Sequence, residues 1–174
     1  MNQTISEQAR ILTVAPTARG FGYCVMEGQV MLECGHKEVK GDKDTKNAQS
    51  VSKVEKLLNQ FLPSAVVLPD VNGANCRRAA RIKTLLRQIV CLAENHKCRA
   101  TFFSGEQLRI TLLGDAKGTK YEMAELLAQN FPAELAGKLP RKRRVWESQD
   151  QRMDTFDAVE LAVVFCVTRG KRAA

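Results

Sequence analysis

Short, dense apolar runs fill the first 40 residues and helix-spaced apolar stripes fill most of the rest. Ile11, Leu12 and Val14 form a brief run that ends at Ala15-Pro16, which reads as a buried strand stopped by proline. A turn over residues 17–20 leads to a second strand, residues 21–26. Gly28-Gln29 then fits a two-residue hairpin turn with glycine first, the type II′ pattern. Residues 30–39 return as a third strand, so the chain opens as an antiparallel meander. A charged loop, residues 40–47, precedes a helix capped by Ser52-x-x-Glu55, with Val54, Leu57, Leu58 and Phe61 on one stripe.

Ala65 to Leu68 is a bare apolar run, suited to a strand covered on both faces, and it ends in a loop over residues 69–73. Residues 76–95 read as a long helix with Ile82, Leu85, Leu86 and Ile89 on its core side. Residues 99–103 make a fifth strand. Ser104-x-x-Gln107 caps a short helix through Leu112, residues 113–118 form a flexible link, and Thr119-x-x-Glu122 caps another helix. Residues 132–147 read as a loop, a last helix starts at Met153, and residues 169–174 form a basic tail. Strands that alternate with helices imply parallel pairing through right-handed crossovers. The expected fold is therefore α/β: one domain over residues 1–174. Its mixed five-stranded sheet holds three antiparallel strands and then parallel ones, with helices on both faces.

Composition narrows the function class. The formal charge is +8, which favours an anionic partner, nucleic acid first. Aromatic residues are 6% of the chain, which argues against base stacking as the main binding device. None of the six cysteines forms Cys-x-x-Cys, so buried free thiols in a reducing cytoplasm are expected and zinc is not. His36 and His96 lie far apart without ligand-like neighbours. The first ten residues are polar, no signal peptide is expected, and no apolar run reaches membrane-spanning length. No organic cofactor or membrane partner is expected.

The candidate chemistry sits on the last helix. Asp154 and Asp157 are three residues apart, so both carboxylates can face one place. Two carboxylates beside an apolar helix face are costly unless something positive meets them, and Mg²⁺ suits a few carboxylate oxygens. An exposed helix start, where acids favour the first turn, is the other reading.

The order of elements, the acid after the fourth strand and the acids of the last helix together resemble the RuvC Holliday junction resolvases of the ribonuclease H-like superfamily. The motifs are the run from Ile11 to Thr17 followed by Gly20-Phe21-Gly22-Tyr23; Leu68-Pro69-Asp70; Lys120 opening the penultimate helix, with Arg109 eleven positions earlier; and Asp154-Thr155-Phe156-Asp157-Ala158-Val159. The likeness spans residues 10–167. It implies a homodimeric endonuclease that cuts branched DNA with two Mg²⁺ or Mn²⁺ ions about 4 Å apart. Asp70, Asp154 and Asp157 are then the metal ligands, and Lys120 offsets charge on the scissile phosphate.

Three departures stand out. The family carries a metal-bridging aspartate where this chain has Ala15. That residue is open to three readings: an engineered substitution, a natural loss of cutting, or a centre with fewer ligands. The acid after the fourth strand could instead align with Pro69. Asn72 and Gly73 stand where the family often places an aromatic wedge. For DNA contacts the candidates are Arg19, Arg109, Lys117, Lys120 and the run Lys138, Arg141, Lys142, Arg143 and Arg144, with a solvated loop as the other reading of that run. Arg77, Arg78 and Arg81 are as well explained by a charged solvent face. Two functions follow: a RuvC-like, metal-dependent endonuclease, or a nuclease-like fold that binds nucleic acid or a protein partner without cutting.

Overall fold

The chain opens in a meander of β1 (Arg10–Thr17), β2 (Gly20–Glu27) and β3 (Val30–Glu38). The structure, a computed structural model, describes residues 9–72 and 78–173. Helix α1 (Lys43–Phe61) leads to β4 (Ala65–Pro69), α2 (Ala80–Asn95) and β5 (Arg99–Phe103). Then come α3 (Gly105–Leu113), α4 (Lys120–Asn130), the one-turn α5 (Pro132–Leu135) and the long α6 (Met153–Ala173). The sheet order is β3-β2-β1-β4-β5, antiparallel through β1 and parallel from β1 to β5. This is the expected mixed five-stranded sheet.

Alternation along the strands divides the core in two. Leu12, Val14, Phe21, Tyr23 and Val25 face α1 and α2. Ile11, Ala15, Cys24 and Met26 face the other way, toward α4 and α6. A period of two sends successive side chains to opposite faces, so β1 and β2 serve both layers. Phe156, Val159, Ala162 and Val164 of α6 are fully buried, which is why this helix lies across the sheet rather than along its edge. Each large apolar side chain buried there contributes roughly 1.5–3 kcal/mol.

Several boundaries differ from the sequence expectation. β1 does not stop at Ala15 but pairs on through Pro16↔Phe21 and Thr17↔Gly20. Within β1, only Ile11, Leu12 and Thr13 pair with β4, so Pro16 has no neighbour on that side, where a missing N–H is tolerated. The cap of α1 lies ten residues earlier than the one expected at Ser52. The Asp42 carboxylate accepts the Thr45 N–H at 2.8 Å and starts the helix there. α2 begins at Ala80; the expected start at Cys76, with Arg77, lies outside the described residues. Part of the loop expected over 132–147 is α5 followed by a 3₁₀ turn (Ala136–Lys138). The residues read as a basic tail continue α6 as far as Ala173, and the Arg169 guanidinium lies 5.3 Å from the Phe165 ring centre. The caps at Ser104 and Thr119 form as reciprocal capping boxes, and Gly28 takes φ 59°, as the first position of the expected hairpin turn requires.

Candidate functional site

The start of α6 is pressed onto β2 at Gly22. A Cβ there would run into the Asp154 carbonyl oxygen, so only glycine permits this approach. Gly22 pairs with Ala15 across the β1–β2 ladder, which sets Asp154 and Asp157 over the end of β1. Further along, the buried Thr13 hydroxyl donates to the Ala158 carbonyl at 2.7 Å and fixes the helix against the strand.

Both acids are nearly enclosed, with Asp154 2% and Asp157 9% exposed. Each is met by the protein itself. The Lys120 ammonium lies 3.0 Å from both Asp157 oxygens, reaching in from the first turn of α4. The Thr17 hydroxyl donates to Asp154 Oδ2 at 3.0 Å, and His36 Nδ1 approaches the same oxygen at 3.0 Å. That imidazole nitrogen is close to the carboxylate but makes no well-aligned hydrogen bond to it. Gln151 Nε2 lies 2.6 Å from His36 Nε2 on the other side of the ring. Burial raises the Asp154 carboxyl above its usual range, against the Thr17 hydrogen bond and the pull of His36. Burial likewise lowers the His36 imidazole, against the pull of Asp154.

One turn deeper lies Glu160, 2% exposed, with Oε1 unpartnered. Burial and the neighbouring Asp157 push its carboxyl well above the ordinary value, while Lys120 and Arg109 pull it back. A neutral carboxylic acid is the form such a place favours.

Asp70 follows β4 and is exposed, and its Oδ1 accepts the Asn72 N–H at 2.9 Å. Ala15 is 4% exposed and offers a methyl group. Among the described residues, no three His, Cys, Asp or Glu side chains are grouped to hold a metal ion. Two ions about 4 Å apart need a nest of carboxylates, and as placed these side chains do not form one.

The other candidates separate into engaged and exposed groups. Lys138 turns inward, with Nζ 3.3 Å from the Cys34 carbonyl oxygen. Arg109 donates to the Ala116 carbonyl at 2.7 Å. Arg78 and Arg81 are not a free solvent face: they donate to the Pro16 and Thr17 carbonyls, each at 2.7 Å. Arg19 donates to the Gln149 carbonyl from the β1–β2 turn. Lys117, Arg141, Lys142, Arg143 and Arg144 remain on the surface. Cys91 is exposed, against the expectation of buried thiols, while Cys24 and Cys98 are buried.

The sequence reading missed Thr17, Glu160 and His36 as members of this site. Their partners lie on distant elements, and short-range spacing carries no signal for such contacts. His36 has no ligand-like neighbours in sequence, yet β3 and α6 bring it to Asp154.

No protein-family model matches the chain, and sequence comparison with curated proteins finds no match. Solved structures do match. Thermus thermophilus RuvC superposes with a TM-score of 0.66 at 15% identity, covering 91% of this chain and 96% of its own. The yeast mitochondrial Holliday junction resolvase Ydc2 gives 0.66 at 14% identity, covering 95% of this chain and 80% of its own. The Fowlpox virus resolvase in complex with Holliday junction DNA gives 0.52 at 11% identity, covering 91% and 99%. With the sheet order and the acid pair on α6, these likenesses identify the chain as one with the ribonuclease H-like fold of the RuvC-like resolvases.

Proposed function

We propose that the chain binds branched or otherwise structured DNA and does not cut it. One observation carries this reading. The acid pair of α6 is engaged from within the protein, by the Lys120 ammonium on Asp157 and by Thr17 and His36 against Asp154. Ala15 stands where the resemblance calls for a bridging acid. An exposed basic loop, Arg141 to Arg144, lies just before α6 and supplies phosphate contacts. Two of the similar structures, those of Thermus thermophilus RuvC and the Fowlpox virus resolvase, are complexes with Holliday junctions, which supports DNA of that shape as the ligand.

The test is a labelled four-way junction titrated with the protein at several salt concentrations, with Mg²⁺ and then Mn²⁺ added. Binding tighter than to a linear duplex is expected. Its log affinity should fall against log salt with a slope of roughly −3 to −4 if about four phosphates are neutralised. No product strand should form. Cutting by the unaltered chain would sink the non-cutting reading, and equal affinity for junction and duplex would sink the structural preference.

A second reading is a Mg²⁺- or Mn²⁺-dependent endonuclease with Asp70, Asp154 and Asp157 as ligands. It is favoured by the burial and spacing of the α6 acids at the end of β1. We also propose, from the resemblance, a cytoplasmic homodimer joined along the helix read over residues 76–95. A monomer by light scattering would remove the dimer from either reading.

A further inference from the structure

The segment between the 3₁₀ turn and α6 holds the chain's one tryptophan, and it holds it outward. Trp146 is 78% exposed and the adjacent Val145 96%. An indole in water forgoes a large burial gain, so two adjacent exposed apolar side chains need a reason.

The segment that carries them is tightly tied. Glu147 accepts from Arg141 at 2.6 Å and from the Arg144 backbone N–H at 2.8 Å, and its carbonyl accepts from Arg143 at 2.9 Å. One end is anchored to α4, where the Tyr121 hydroxyl donates to the Pro140 carbonyl at 3.2 Å, next to Lys120. The other end is anchored by Arg19 on the Gln149 carbonyl. The Arg144 guanidinium stands 5.6 Å from the Trp146 ring centre. The ring is therefore presented from a segment tied to α4 and to the β1–β2 turn, with the Arg144 guanidinium next to it and Arg141, Lys142 and Arg143 exposed on the same segment. A protein groove that received an indole would meet those cations as a cost. A polyanion that also offers flat aromatic rings meets both features at once.

We propose that Trp146 stacks on an unpaired base of DNA, at a branch point or gap, while Arg141, Lys142, Arg143 and Arg144 hold the flanking phosphates. This inference rests on the structured-DNA reading and adds the contact that distinguishes unpaired from paired bases. A single ring does this, which fits a chain too poor in aromatics for a stacking platform.

Because Trp146 is the sole tryptophan, its emission reports on this one ring. The full chain is titrated with a duplex carrying a short single-stranded gap, with a fully paired duplex of equal length, and with heparin. Anisotropy of labelled DNA reports binding separately. Quenching is expected with the gapped duplex and not with heparin. Trp146→Ala should lower affinity for gapped DNA about tenfold more than for paired DNA, and Trp146→Phe should restore most of that difference. Binding of gapped DNA without an emission change, or equal losses on both DNAs, overturns the inference and leaves the structured-DNA reading standing. An emission shift that depends on protein concentration alone shows a second copy covering the ring and also overturns it. Failure to bind any DNA ends the reading and the inference together.

Discussion

Asp157 keeps a carboxylate where only 9% of the residue meets solvent, and Lys120 is what makes that tolerable. Lys120 is itself half exposed, which weakens the pair by solvent screening. Lys120→Met should therefore cost about 1–2 kcal/mol at neutral pH, measured by urea denaturation, with Asp157 left buried and unpaired. A loss under about 0.5 kcal/mol would show that the half-exposed pair contributes nothing measurable. At this scale the sequence was half legible. The i, i+3 spacing of Asp154 and Asp157 and the capping box before Lys120 are local patterns, and the structure brings all three side chains together. Thr17, His36 and Glu160 carry no such pattern. They join the site because two strands and a helix meet there.

The elements explain why the site has its shape. α6 lies across β1 and β2 because its buried face is continuous, and it lies close because Gly22 has no side chain. Gly22→Ala would place a methyl against helix backbone, which cannot swing aside as a side chain can. A loss of 3 kcal/mol or more is expected, or failure to fold, read from thermal unfolding. A loss under 1 kcal/mol would mean that the helix start can lift from the strand. Strand order and helix periodicity were visible along the chain, since alternation and 3.6-residue stripes are local. The start of α1 was not. Asp42 and Thr45 form its cap inside a run of charged residues that reads as loop, and the buried Asn47 and Ser50 lack an apolar signal. Pro16 misled in the same way, because its tolerance depends on how far β4 extends.

For the whole molecule, opposed groups of acids set the response to pH. Asp42, Glu122, Glu147 and Asp150 are held below their ordinary values, by backbone hydrogen bonds at the first two and mainly by Arg141 and Arg152 at the others; Asp150 falls to about 2. Their contribution is present above the ordinary carboxylate range and is lost as pH falls through it. Glu160 and Asp154 act with the opposite sign: raised in the fold, they lose stability as pH rises past that range. The lowered imidazole of His36 costs stability below its ordinary value near 6.5. These two acids should therefore pull the melting temperature down as pH rises above the ordinary carboxylate range, and Glu160→Gln should lessen that pull by removing the buried acid. An unchanged slope would show that Glu160 ionises at no cost, against its enclosure. Net charge and the RuvC-like order of elements were readable from the chain. Which cations stay on the surface was not, because Lys138, Arg78 and Arg81 are drawn onto backbone carbonyls by neighbours distant in sequence.

Those two arginines tie α2 to the end of β1. Arg81 reaches from α2 to the carbonyl of Thr17, and the hydroxyl of that same threonine touches Asp154 on the far side. One residue of β1 is therefore gripped from both layers of the molecule at once, its carbonyl by α2 and its hydroxyl by α6.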